Sequence, residues 1–369
     1  MKTETLAIHA GNQITDSRKP VIQPITLSTT FMHHEGSMVY SRLENPNRES
    51  LEKVMASLET GADAAAFSSG NAAGMAVFQA LPVGTHVIAP NDMYHGLRRL
   101  LTEVFKDKLS VDFVDLTQPE TVEKSLKPHT GLLWIETPSN PLLQISDIRA
   151  LSDIAHKKNI PVVCDSTFAT PIFQNPLAWG ADMVMHSNTK FIGGHSDVIG
   201  GILVTKTENK IWEKIKTIQS IGGAVPSPFD CYLLVRSIKT LPYRMKGHEE
   251  NATRLAGFLE SHPRIDEVYY PGLPSNPGHR TAKMQMSGFG GVLSFLFKGS
   301  ADKTDQFIAN LQYFTNATSL GGVESLIERR AKVEGPGSKT LPNLIRLSVG
   351  LENIEDLISD MESAFEKIS

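Results

Sequence analysis

The chain has 369 residues, with 36 Lys and Arg against 40 Asp and Glu for a formal net charge of −4. Hydrophobic residues make up 40% and charged residues 21%, a globular balance that excludes disordered and collagen-like chains. No apolar run approaches the ~20 residues of a membrane span, the charge gives no ground for a nucleic-acid or anionic-membrane partner, and two cysteines, Cys164 and Cys231, cannot make a disulfide framework.

At ~150 residues per domain the length implies two domains, or one large domain with an appendage. The N-terminal MKTETLAIHAGNQ lacks the apolar core of a signal peptide, so a cytoplasmic protein with reduced cysteines is expected. The stretch to about Arg42, with Ser28, Thr29 and Thr30 in a row, shows no strong period and reads as an arm or irregular segment. The first clear helix is NRESLEKVMASLETG: Leu51, Val54, Met55 and Leu58 fall at helical spacing, and Gly61 is placed to stop it. Strands and helices then alternate. HVIAP, LSVDFVDL, GLLWIET, IPVVCDSTF, ADMVMHS and GGILVTK read as strands, and DIRALSDIAHKKN as an amphipathic helix with Ile148, Leu151, Ile154 and Ala155 on one face. Short, nearly all-apolar strands separated by helices predict an α/β fold with a mostly parallel sheet covered on both faces. One long helical pattern runs from Pro228 to about Leu259. Beyond it, strands DEVYY, GGVLSFLFK and NLIRLSV and helices DKTDQFIANLQYF and NIEDLISDMESAFEKI predict a smaller α+β domain.

Polar residues gather at the carboxyl ends of the predicted strands: Glu136-Thr137-Pro138-Ser139-Asn140, Asp165-Ser166-Thr167 and His186-Ser187-Asn188-Thr189-Lys190. The turn Ser68-Ser69-Gly70-Asn71 stands before a helix. In an open α/β sheet such ends face one crevice. Each piece alone has a plainer reading: a solvated Lys, an Asp capping a turn, a Ser N-cap. Together they fit pyridoxal phosphate. A lysine amine can bond the cofactor's aldehyde. A buried carboxylate such as Asp165 would keep the pyridine nitrogen protonated. The phosphate would sit on the helix N-terminus at Gly70 and Asn71, with the hydroxyls of Ser187 and Thr189.

The segments HSNTKFIGGHSDVIGG, ETPSNP, CDSTFATP, YSRLENP and IRLSVGLE resemble the signatures of the Cys/Met-metabolism pyridoxal-phosphate enzymes, the group of the cystathionine γ-synthases, γ-lyases and β-lyases and the methionine γ-lyases. The resemblance spans nearly the whole chain. It implies the aspartate-aminotransferase-like fold (fold type I): a large domain with a mostly parallel seven-stranded sheet, and a smaller C-terminal α+β domain. It also implies a homotetramer of two intimate dimers and a small amino-acid substrate. The corresponding division is an arm at 1–46 serving the neighbouring subunit's site, a cofactor domain at 47–240 and a C-terminal domain at 241–369.

By this resemblance Lys190 is the Schiff-base lysine and proton shuttle, Asp165 the partner of the pyridine nitrogen, and Thr167 its neighbour near the ring. Tyr94 stacks on the ring and handles protons. Ser69, Gly70, Asn71, Ser187 and Thr189 hold the phosphate, which Tyr40 and Arg42 reach across the dimer interface. Arg346 holds the substrate carboxylate, with Asn140 and Ser319 beside it.

Several departures bear on the reaction. His95-Gly96-Leu97 follows Tyr94, with no cysteine there, which counts against a methionine γ-lyase. His95 reads either as a substrate contact or as a structural or solvent-facing histidine. Thr318 stands where γ-synthases and γ-lyases often have Glu. Arg329-Arg330-Ala331-Lys332 replaces a His-Pro-Ala stretch, and reads either as a binder of a distal carboxylate or as a solvated helix end. The reaction expected first is γ-elimination of L-cystathionine to cysteine, 2-oxobutyrate and ammonia. The alternative is a γ-synthase, or a related replacement of an O-acylhomoserine's acyl group by a thiol. The glycines of FIGGHSDVIGG do not open a dinucleotide-binding unit, so an NAD-binding dehydrogenase is a remote reading, as is a non-catalytic homologue. His186, His195 and Asp197 match no standard zinc spacing, and no metal is expected.

Overall fold

The computed structural model describes residues 1–12, 19–335 and 338–368. The first half builds strands β1 (Asp63–Phe67), β2 (His86–Pro90), β3 (Ser110–Val114), β4 (Thr130–Glu136), β5 (Val162–Asp165), β6 (Met183–Ser187) and β7 (Gly201–Thr205). Its helices are α1 (Thr3–His9), α2 (Pro46–Glu59), α3 (Gly70–Ala80), α4 (His95–Arg99), α5 (Pro119–Ser125), α6 (Ile148–His156), α7 (Thr170–Phe173), α8 (Lys210–Gly222) and α9 (Pro228–Ile238). The strands form a seven-stranded sheet in the order β1-β7-β6-β5-β4-β2-β3. β2, β3, β4, β5 and β6 pair in parallel, and β7 runs antiparallel to both of its neighbours, β6 and β1. β1 therefore points the same way as β6, and β7 alone is reversed.

Alternation along the strands sends side chains into two layers of helices. On one face Ala65, Phe67, Trp134 and Leu203 pack with Ala73 and Val77 of α3 and Trp212 and Ile215 of α8. On the other face Ala64, Ala66, Ile202 and Val204 pack with Leu51, Val54 and Met55 of α2 and Leu234 of α9, and Leu133, Ile135 and Val162 pack with Ile148 and Leu151 of α6. With both faces covered, the carboxyl edge of the sheet is where polar groups converge.

The C-terminal part adds α10 (Leu241–Ser261), β8 (Ile265–Tyr269), α11 (His279–Gln285), β9 (Val292–Phe297), α12 (Ala301–Asn310), β10 (Thr315–Asn316), β11 (Leu326–Arg329), α13 (Arg330–Glu334), β12 (Leu344–Ser348) and α14 (Ile354–Glu366). Its sheet has the order β10-β11-β12-β9-β8. Phe295, Ile345 and Leu347 of that sheet pack on Leu255 and Leu259 of α10, Phe307 of α12 and Phe365 of α14. Among the described residues no helix is long and apolar enough to cross a membrane.

Four local expectations are corrected. The pattern from Pro228 to Leu259 is two helices, broken at Lys239 and Thr240. In one continuous helix the Pro242 ring would strike the Ile238 carbonyl, so Pro242 sits instead in the first turn of α10. The N-terminal stretch is not all irregular, because α1 buries Ala7 and packs on α2 and α10. Helix α2 ends on Thr60, held left-handed at φ 57, one residue before Gly61. Strands β10 and β11 fall in a segment where no strand was expected. Of the expected divisions, 46/47 falls one residue inside α2, and 240/241 falls at the start of α10.

Candidate active site

The carboxyl ends of β1, β4, β5 and β6 meet beside the C-terminal sheet around a cavity of about 290 Å³. Lys190, Asp165, Thr167 and Tyr94 line it. So do Ser69, Gly70, Asn71, Ser187 and Thr189 from the turns around α3 and β6, Asn140 from the loop after β4, and Arg346 and Ser319 from the C-terminal part.

At the β1–α3 turn, Ser69 Oγ accepts from Ala72 N at 3.0 Å and caps α3, a contact typically worth ~1 kcal/mol. The first N–H groups of a helix have no acceptor within it, and those of Gly70 and Asn71 stand at the cavity wall. Gly70 permits the approach of β6, since a Cβ there would lie 2.8 Å from Ser187 Cβ. At the end of β5, Asp165 Oδ1 accepts from Thr167 N at 3.0 Å and from Thr167 Oγ1 at 2.5 Å. Thr167 Oγ1 in turn accepts from Ser187 N at 3.0 Å, tying β5 to β6. Asp165 is buried and makes no ion pair among the described residues. Glu136 stands opposite it in the β4–β5 register and accepts from Tyr94 N at 2.8 Å. Burial pushes both carboxyls above their ordinary range, and each opposes ionisation of its neighbour. Asp165 is the better held as a carboxylate, with two donors on Oδ1 and the His186 charge also favouring that form. His186 points to the opposite face of the sheet from Ser187 and bonds Glu59 Oε1 at 2.6 Å. Among the described residues no cluster of three metal-ligating side chains occurs.

Lys190 Nζ donates to Ser319 Oγ at 2.8 Å. Burial first, then the charge of Arg346, pull its amine down from 10.5 to about 8. Ser319 also accepts on its backbone oxygen from Arg346 Nη2 at 3.1 Å, and Asn140 Oδ1 accepts from Arg346 Nη1 at 3.0 Å. Ser319 holds φ at 139°, a conformation side-chain-bearing residues rarely adopt, and thereby serves the amine with its hydroxyl and the guanidinium with its carbonyl. Its loop runs against the lysine segment: a Cβ on Gly321 would lie 2.4 Å from Phe191 N. Burial draws Arg346 down to about 10 against the opposing pull of Glu328, so it remains charged at neutral pH.

Two predicted residues are not brought in. Tyr40 and Arg42 lie outside this cavity, where Arg42 Nη1 donates to Ser220 O at 2.5 Å and its guanidinium lies 5.6 Å from the Tyr40 ring centroid. His95 begins α4 and does not line the cavity. The solvated-end reading of the double arginine fails for Arg330, which is 4% exposed and lines the cavity, whereas Arg329 forms a two-pronged pair with Asp305. Sequence reading missed Glu328, whose Oε1 lies 2.6 Å from Arg346 Nη2. Its signal lay in the β11–β12 register, which sets Glu328 opposite Arg346.

The family model described as Cys/Met metabolism PLP-dependent enzyme matches residues 4–366. The chain belongs to this family. Its cofactor is accordingly pyridoxal 5'-phosphate, and its fold is the aspartate-aminotransferase-like fold type I. The chain is 44% identical over 380 residues to a cystathionine gamma-lyase of Dictyostelium discoideum, covering 99% of this chain and 98% of that one. It is 44% identical over 373 residues to a cystathionine gamma-synthase of Mycobacterium tuberculosis, covering 98% and 96%. The crystal structure of metB from Corynebacterium glutamicum superposes with a TM-score of 0.97 at 40% identity, covering 100% of this chain and 99% of that one. The cavity suits the cofactor. A capped helix N-terminus can take a phosphate, a buried carboxylate without an ion pair can take a cationic ring nitrogen, and a half-desolvated amine can take an aldehyde.

Proposed function

We propose that the protein catalyses γ-elimination of L-cystathionine, with water, to cysteine, 2-oxobutyrate and ammonia. The observation that carries this reading is Ser319, which bonds the Lys190 amine and the Arg346 guanidinium at once. A substrate whose α-carboxylate rests on Arg346 then has its α- and β-carbons beside Lys190 Nζ. In this reading Arg346 and Asn140 fix the carboxylate. Lys190 Nζ, neutral, takes the proton from the α-carbon and next moves one at the β-carbon. Tyr94, partly exposed at the cavity, serves the substrate amine and the leaving group with its hydroxyl. Pyridoxal phosphate, when bound, supplies the electron sink for the carbanions that these transfers create. Asp165, with Thr167 beside it, holds the proton on its ring nitrogen, and Ser69, Gly70, Asn71, Ser187 and Thr189 hold its phosphate.

Replacement by a thiol is the second reading, favoured by the relatives named cystathionine gamma-synthase. Purified enzyme given cystathionine alone should release 2-oxobutyrate. If it releases none, but makes a thioether from O-succinyl- or O-acetylhomoserine and cysteine, the synthase reading replaces the lyase. His95-Gly96-Leu97 follows Tyr94 with no cysteine, which counts against a methionine γ-lyase.

The same reading takes residues 1–46 as an arm whose Tyr40 and Arg42 complete a neighbour's phosphate site, 47–240 as the cofactor domain and 241–369 as the C-terminal domain. The assembly is a cytoplasmic homotetramer. Arg42→Ala should then lose cofactor on dialysis faster than the parent. Equal retention would sink the cross-subunit contact. Arg346→Ala should weaken substrate binding by ~2–5 kcal/mol, the usual cost of truncating one partner of a buried charge pair. Steady-state kinetics would show this chiefly as a rise in KM.

A further inference from the structure

The double arginine contains a buried group to which the proposed reaction gives no part. Arg330 is 4% exposed, Glu328 2% and Arg346 4%. Glu328 Oε1 accepts from Arg330 Nη1 at 2.8 Å and lies 2.6 Å from Arg346 Nη2. One carboxylate oxygen thus bridges two guanidiniums, and Glu328 Oε2 has no hydrogen-bond partner. Arg330 is fixed from behind. Its Nε lies 3.1 Å from Glu334 Oε1, and Glu334 Oε2 accepts from Ser338 Oγ at 2.6 Å and Thr340 Oγ1 at 2.7 Å.

The geometry points to Arg330 as a positioning residue for Arg346, acting through the shared oxygen of Glu328. A buried glutamate facing Arg346 alone would place its whole charge on the guanidinium and compete with an incoming carboxylate. It would also draw Nη2 away from Ser319 O. Arg330 takes a share of that charge and fixes the distance of Oε1, so Glu328 orients Arg346 without neutralising it. The cross-strand register of Glu328 and Arg346 sets the two side chains on the same side of the sheet, and the chain turns into α13 at once, which brings Arg330 to the same oxygen. The ligand class concerned is the α-carboxylate of an amino acid. The inference rests on the reading of Arg346 as the anchor of that carboxylate.

The test compares dissociation constants of L-alanine and L-alaninamide on the holoenzyme, followed by the change in its visible absorbance, for the parent, Arg330→Met, Arg330→Lys and Arg346→Lys. The parent should prefer the carboxylate over the amide. Arg330→Met should reduce that preference about tenfold, a coupling of the size seen within buried networks. Arg330→Lys should restore most of it, since the charge beside Glu328 returns. On a Glu328→Gln background, which removes the route, Arg330→Met should change the preference no further. This background also serves if Arg330→Met alone folds poorly. An undiminished preference in Arg330→Met, with Arg346→Lys impaired, overturns the role of Arg330 and leaves Arg346 as the anchor. A parent without preference, and an Arg346→Lys variant equal to it, overturns the anchor and this inference together.

Discussion

Lys190→Ala is expected to abolish turnover and, with it, any visible absorbance that borohydride can remove from the loaded protein. The loss of turnover should be ~10²–10⁴-fold or more, because general-base work and covalent tethering both vanish with one amine. The fold should survive. The amine is buried at an energetic cost, its hydrogen bond among the described residues is a single one to Ser319 Oγ, and the backbone of the turn is held independently by Lys190 N to Ser187 O and Gly194 N to Lys190 O. The same burial sets a pH dependence whose sign can be worked out. With the amine lowered from 10.5 to about 8, the neutral form is about a tenth of the cofactor-free population at pH 7. Raising the pH through 8 should increase the rate at which acetic anhydride labels Lys190 in cofactor-free protein, with a plateau above it. Peptide mass spectrometry would follow this, and exposed lysines should still be climbing at pH 9. A Lys190 labelling curve like theirs would remove the argument that the amine is ready to act as a base. Retained turnover in Lys190→Ala would remove the reaction scheme.

The proposed cofactor side of the cavity was legible in the sequence because its residues come in short contiguous runs at strand ends. Asp165 and Thr167 follow VVC, Lys190 follows MVMHSNT, and Ser69, Gly70 and Asn71 stand between an apolar run and a helix. A parallel sheet does the rest by bringing those ends to one edge. The proposed substrate side was legible only through resemblance. Arg346, Asn140 and Ser319 come from segments far apart in the chain, and no local period joins them. The Arg330–Glu328 link was not legible at all. β11 reads LIER, half charged, with Glu328 buried and Arg329 half-buried, so neither the alternation of a half-buried strand nor the run of a buried one is visible. The reversal of β7 was likewise hidden. Gly201–Thr205 is as apolar as its parallel neighbours, and direction depends on the return from β6 through the lysine turn, which forms turns and no crossover helix.

Asp165→Asn is expected to separate function from stability in opposite directions. In the folded chain the carboxyl is pushed above its ordinary value, chiefly by burial. A carboxyl with a raised folded value binds protons more tightly in the native state than in the unfolded one, so its contribution to stability falls as pH rises from 3.8 through that raised value. At neutral pH the cofactor-free protein therefore carries Asp165 as a liability, shared with Glu136 across the β4–β5 pair. Asparagine removes the charge and keeps an acceptor for Thr167 N and Oγ1. The melting temperature of the cofactor-free variant should equal or exceed that of the parent. A cationic ring nitrogen would convert the same carboxylate into an asset, so the rise in melting temperature on loading pyridoxal phosphate should shrink in the variant. Turnover should fall by on the order of 10²–10³-fold, the usual scale for removing one preorganised electrostatic partner. Calorimetry on loaded and cofactor-free protein, with kinetics on the same preparations, reads all three. Parental turnover, or a cofactor-free variant that melts well below the parent, would show that Asp165 is there to hold β5 and β6 together through Thr167 and not to hold the ring.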